Sequence, residues 1–226
     1  MKKIVSFLAV GHSPREDIVD ELAEHIDSGI EIRQRGALDH LSVEEVREKL
    51  IPVPGEPVLT SRLSDGKMMD FSREKVMPLL QSAIDSACEE GASIVVILCT
   101  NEFDGLHCRV PLITPFYLLH SVASSVRAGC RAGALFPFKE FAEAMEKSWK
   151  RFDVSVDYEC ASPKENDWGR YVEFFREKKT QLLILDCIGY TYECRDYFSR
   201  ALGIPVIHPR SMIVSTIHDM LASGPY

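Results

Sequence analysis

Two stretches of the chain end an apolar run on a cysteine: ASIVVILCTNEF, residues 92–103, and QLLILDCIGYT, residues 181–191. In an open parallel sheet, ligands bind beyond the carboxyl ends of the strands, and Cys99 and Cys187 stand at that point in the sequence. A helix N-terminus nearby lowers a thiol pKa from its ordinary value of about 8.5. Two such thiols on opposite faces of a substrate carbon make an acid–base pair. One thiolate removes a proton, and the other thiol donates one to the opposite face. The plain alternative is that both are packed strand ends, since free cysteine behaves as a small hydrophobe. Their matched settings weigh against it.

The neighbours suit a small anion. Thr100 and Asn101 can hold a carboxylate, or can serve ordinary loop and cap chemistry. Gly189 and Tyr190 can supply backbone N–H groups and a ring wall, although Tyr190 suits plain packing equally. GHSPRED (11–17) follows the first apolar run. Gly11 permits a tight turn. Ser13 with Glu16 reads as a capping box, with Pro14 at the first helical position, and a helix N-terminus can hold an anion. Arg15 can pair with a carboxylate through both arms of its guanidinium. Arg62 is a second candidate clamp, with a solvated hairpin arginine as its ordinary alternative. The histidines show no metal-ligand spacing, and no phosphate loop or G-x-S-x-G is present; the expectation is no metal and no cofactor.

Elements must position these groups. IVSFLAV (4–10), SIVVIL (93–98), AGALFPF (132–138), LLILD (182–186) and IPVIHP (204–209) read as strands covered on both faces. Helical segments lie between them. Ile18, Leu22 and Ile26 recur at four-residue steps, and three further segments begin near Arg73, Phe138 and Asp167. The alternation predicts an α/β protein with parallel sheets. Ser42–Glu45 and Ser162–Glu165 repeat the capping-box pattern, and Gly91 and Gly129 stand where helices should end. Residues 51–73 break the alternation; Asp65-Gly66 predicts a hairpin or flap outside the main sheet.

Each half contains a helix, a strand ending in cysteine and a short polar loop. Two such lobes facing each other would bring Cys99 and Cys187 to one cleft. The expected division is residues 1–113 with 206–226, against 114–205.

With 226 residues, 46% of them hydrophobic, the chain can build a sizeable core. Its net charge of -8 argues against a general nucleic-acid binder. No apolar run approaches the roughly 18 residues of a membrane helix, and the start reads as a core strand, so the expected location is the cytoplasm. The seven cysteines include no C-x-x-C pair, which suits free thiols in a reducing compartment.

VGHSPRED, VLTSRLSDG, LDCIGYT and PVIHPRSMI together resemble the AroM family, over essentially the whole chain. That family is similar in turn to the aspartate/glutamate/hydantoin racemase superfamily. The resemblance implies two pseudosymmetric Rossmann-like α/β lobes with a cleft between them, cofactor-independent isomerase chemistry, and a cysteine from each lobe acting at the substrate α-carbon. Cys99-Thr100-Asn101 matches the first superfamily motif with its two polar residues exchanged. Around Cys187 the usual Thr and His are replaced by Ile188 and Gly189. The usual Asp-Ser of the first loop is His12-Ser13 here.

The resulting expectation is racemisation or epimerisation of an amino acid or other small carboxylate. Cys99 and Cys187 would be the acid–base pair, with Gly11, Ser13, Arg15, Arg62, Thr100, Asn101, Gly189 and Tyr190 around the substrate. Two alternatives stand beside it: a single-cysteine decarboxylase or isomerase, and a non-catalytic carboxylate-binding protein. The partners expected are a small anionic substrate and, as one admissible assembly, a second copy in a homodimer.

Overall fold

The computed structural model describes residues 3–126 and 129–221. Their contacts divide the chain into two units. The first runs to Thr114 and resumes at Thr216; the second is Pro115–Ser215.

In the first unit, β1 (Lys3–Ala9), β2 (Ile30–Gly36), β5 (Ile94–Ile97) and β6 (Leu112–Ile113) form a parallel sheet in the order β2-β1-β5-β6. Helices α1 (Glu16–Ala23), α2 (Val43–Lys49) and α3 (Arg73–Glu89) complete it. All four residues of β5 are buried, as its unbroken Ile/Val run requires in a strand covered on both faces. Leu8, Val46, Phe71, Leu80 and Val95 belong to one core cluster. The edge strand β2, IEIRQRG, is half-buried and carries Arg33 and Arg35, which hides it from a search for apolar runs. Residues 51–73 contain the expected hairpin, β3 (Val58–Arg62) antiparallel to β4 (Met68–Ser72), as a separate two-stranded sheet. Gly66 supplies the positive φ of its turn.

The second unit repeats the wiring. Its strands β7 (Ala132–Phe136), β8 (Val156–Cys160), β9 (Leu182–Leu185) and β10 (Val206–Ile207) are parallel, in the order β10-β9-β7-β8. In both sheets the first strand lies between the second and the third, and the fourth lies outside the third. Along β9, Leu182 and Ile184 join one core cluster and Leu183 and Leu185 another, so each face is covered. The helices are α4 (Pro115–Val126), α5 (Ala142–Arg151), α6 (Gly169–Glu177), α7 (Tyr192–Leu202) and the start of α8 (Pro209–Leu221), whose residues from Thr216 belong to the first unit. Because β10 pairs with β9, residues 206–207 belong to the second sheet, and the chain returns to the first unit at Thr216.

Several expected helix starts are displaced. Ser42 forms the predicted box: its hydroxyl accepts from Glu45 N at 3.1 Å, and Glu45 Oε2 accepts from Ser42 N at 2.9 Å. Ser13 does not cap α1, whose N-cap is Arg15 without a side-chain bond. Ser162 caps nothing either. Its hydroxyl accepts from Lys164 N at 3.2 Å in a local turn, and α6 begins only at Gly169. Ser-Pro sequences serve turns as readily as caps, because the serine oxygen can accept from the backbone N–H two residues on. The apolar run 204–209 shortens to a two-residue strand. The elements β2, β6, β8 and α8 lay outside the expected set. No helix among the described residues is long and apolar enough to cross a membrane.

Candidate functional site

In the first unit the residues after β1 are built against the hairpin. A Cβ on Gly11 would come within 2.4 Å of Arg62 O, so glycine is what lets β3 approach. His12 is buried, and its Nε2 lies 2.9 Å from Leu41 O, while Ser64 N donates to its Nδ1 at 3.3 Å. A carbonyl only accepts and an amide only donates, so both ring nitrogens have partners, Leu41 O at Nε2 and Ser64 N at Nδ1. His12 thus fastens the hairpin.

Ser13 turns to Asp39. Its amide reaches Asp39 Oδ1 at 2.8 Å and its hydroxyl Oδ2 at 2.6 Å, and Gly36 N also donates to Oδ2 at 2.7 Å. Asp39 was not among the sequence candidates; it lies 26 residues from Ser13. Arg15 donates through Nε and Nη2 to Asp17, both at 2.8 Å. Arg62 Nη2 lies 3.3 Å from Asp17 Oδ1. The two candidate clamps therefore converge on one internal carboxylate, which a bound anion would have to displace or join.

Cys99 follows β5 and Leu98, half-buried, and Asn101 Nδ2 donates to its sulfur at 3.4 Å. No helix starts here. The next regular elements are β6 and then α4 at Pro115, so the expected helix-dipole effect does not apply to Cys99. Thr100 is half-buried beside it.

The second unit gives its cysteine a different surrounding. Cys187 is half-buried after β9, and α7 opens shortly beyond, with Thr191 Oγ1 accepting from Cys194 N at 3.2 Å. Gly189 N donates to Cys187 Sγ at 3.3 Å, and Tyr190 N to Cys187 O at 3.2 Å. The Tyr190 side chain is buried and donates its hydroxyl to Ala161 O at 2.8 Å, an anchoring role instead of a wall. Burial, and after it the neighbouring Cys187, push its phenol well above the usual tyrosine range. Three groups that sequence reasoning missed surround this loop. Asp186 is buried and accepts from Trp149 Nε1 at 2.9 Å. Arg210, only 1% exposed, donates from Nε to Ile188 O at 2.8 Å and from Nη2 to Gly189 O at 3.2 Å. His208 Nε2 lies 2.8 Å from Tyr190 O. Polar residues interrupting the apolar strings LLILD and IPVIHPR were the available clue.

All seven cysteines lie in or against the hydrophobic core clusters, and three of the others are poor nucleophiles. Burial pushes Cys194 up to about 12 and Cys108 up to about 11, and raises Cys160, which leaves them poor nucleophiles. A groove of about 760 Å³ lies in the first unit against Pro57, Met77, Pro78 and Gly105–His107; no candidate residue lines it. No metal-binding cluster exists among the described residues.

A family model described as AroM protein matches residues 5–221. No curated protein matches. Among solved structures, allantoin racemase from Klebsiella pneumoniae is 15% identical with a TM-score of 0.66, covering 97% of this chain and 88% of that one. Arylmalonate decarboxylase is 13% identical with a TM-score of 0.64, covering 98% and 94%. The maleate isomerase Iso from Pseudomonas putida S16 is 10% identical with a TM-score of 0.62, covering 97% and 93%. At these identities the likeness establishes a shared fold.

Proposed function

The chain belongs to the AroM protein family, and on that premise we propose that it is a cofactor-independent enzyme moving protons at the carbon next to a carboxylate, as a racemase or epimerase does. One observation supports this above the others. Two sheets with the same strand order each end their third strand beside a half-buried cysteine whose sulfur accepts a hydrogen bond. In the proposed reaction one of Cys99 and Cys187, as thiolate, takes the α-proton. The other, as thiol, returns one to the opposite face of the planar carbanion; the protons balance, and no electron acceptor is needed. Arg62, about one-third exposed, and Arg15 would meet the substrate carboxylate, with Ser13, Thr100, Asn101 and the Gly11 and Gly189 backbone around it. Exclusion of water by the hairpin would strengthen these contacts.

The test is solvent-proton exchange. The protein is incubated in D2O with small amino and hydroxy acids, and loss of the α-proton is followed by NMR for wild type, Cys99→Ser and Cys187→Ser. Two-thiol chemistry predicts exchange in wild type and a fall of at least roughly 100-fold in each variant. No exchange with any acid would sink the proposal.

A second reading has Cys187 act alone, as in a decarboxylase or isomerase. The backbone donor from Gly189 to the Cys187 sulfur favours it. Carbon dioxide release, or activity surviving in Cys99→Ser and lost in Cys187→Ser, would select it.

A further inference from the structure

We infer that Arg210 is the positioning residue of the Cys187 loop: it holds the Ile188–Gly189 peptide so that the Gly189 N–H faces the Cys187 sulfur. The inference rests on the proposed function only in taking Cys187 as a reactive thiol.

The geometry is that of one peptide plane. This bond is trans, so its C=O and N–H point in opposite directions. Arg210 Nε holds the carbonyl end at 2.8 Å. The amide end then points the other way, where Cys187 Sγ lies at 3.3 Å. The next two carbonyls are held as well, Gly189 O by Arg210 Nη2 at 3.2 Å and Tyr190 O by His208 Nε2 at 2.8 Å. A residue with a side chain cannot take this path: a Cβ at Gly189 would come within 2.9 Å of Pro163.

A buried guanidinium is costly to desolvate, by several kcal/mol in general. Arg210 also lies in the first turn of α8, where a cation opposes the helix dipole. The fold does not require it. In the first unit the strand in the same place, β6, is followed by Thr114-Pro115-Phe116, where β10 is followed by His208-Pro209-Arg210. Phe116 occupies the matching position, buried and apolar, and the first sheet has the same order. The arginine stands in the unit where a backbone N–H is donated to the Cys187 sulfur. An N–H donated to sulfur favours the thiolate over the thiol.

The ionisable groups around the loop include Asp186, Tyr190, Cys160, Cys194, His208 and Arg210, with Glu193, Arg195 and Asp196 acting on Cys194 and His208 from α7. The experiment measures alkylation of Cys187 by iodoacetamide between pH 6 and 10, by peptide mass mapping, with Cys99 of the same molecule as reference. In Arg210→Gln, shown to be folded by circular dichroism, the Cys187 rate at neutral pH should fall roughly tenfold. Its profile should move up by about one unit, while Cys99 stays unchanged. Arg210→Lys keeps the charge and loses the two-armed hold, and should lie close to the glutamine variant. Full recovery in the lysine variant, or an unchanged Cys187 profile in the glutamine variant, would overturn the inference.

Should both variants unfold, wild-type NMR decides. The Gly189 amide and the Arg210 Nε–H bracket one peptide plane and should shift together at the Cys187 titration midpoint, with neither shift present in Cys187→Ser. Independent behaviour overturns the inference. Alkylation needs no substrate, so absence of proton exchange with an Arg210-dependent profile would remove the enzymatic reading and leave this one standing.

Discussion

His208 has none of its surface exposed, and burial lowers its pKa to about 4 from an ordinary 6.5. The folded protein therefore keeps the ring neutral between those values, while the unfolded chain takes up a proton. With more protons bound in the unfolded state, stability rises with pH across that window and is lost as pH falls from about 6.5 toward 4. The urea midpoint should drop over this range, and His208→Gln, which keeps a donor for Tyr190 O, should flatten the dependence. An equal slope in the variant would assign it to other groups. Cys99 and Cys187 were legible in the sequence because each follows an unbroken apolar run. Arg210 was not, because its role depends on carbonyls 21 and 22 residues away.

Among the elements, three Ser-x-x-Glu boxes looked alike and folded differently. Only Ser42 caps a helix through its side chain. Ser42→Ala should cost about 1 kcal/mol in urea unfolding. Ser162→Ala, at an exposed turn, should change stability by no more than about 0.5 kcal/mol. Equal losses would mean that Ser162 does more than its turn contact indicates. The distinction lay beyond local sequence. Asp39, brought beside the chain by the β1–β2 pairing and the turn after β2, takes the Ser13 hydroxyl that would otherwise cap α1. Edge strands β2 and β8 also escaped, because half-exposed strands mix charged with apolar residues and lose the continuous apolar pattern.

At the scale of the whole molecule, two parallel four-stranded sheets share one order, and the hairpin is an insertion into the first unit between α2 and α3. The acidic balance belongs to this scale as well. With a net charge of -8, the protein should bind an anion exchanger at neutral pH and leave a DNA duplex unshifted at physiological salt. A salt-sensitive DNA complex would contradict this.

The sequence alone determined the α/β class, the buried strands β1, β5, β7 and β9, the hairpin and the two strand-end cysteines. Those features follow from local hydrophobic period and turn chemistry, which a few neighbouring residues encode. Tertiary structure alone decided which polar groups were already committed: Arg15 and Arg62 to Asp17, Ser13 to Asp39, His12 to the hairpin, and Arg210 to the Cys187 loop. Hydrogen-bond partners distant in sequence meet only after the sheets have formed. A side chain's chemistry is set by those partners as much as by its own type.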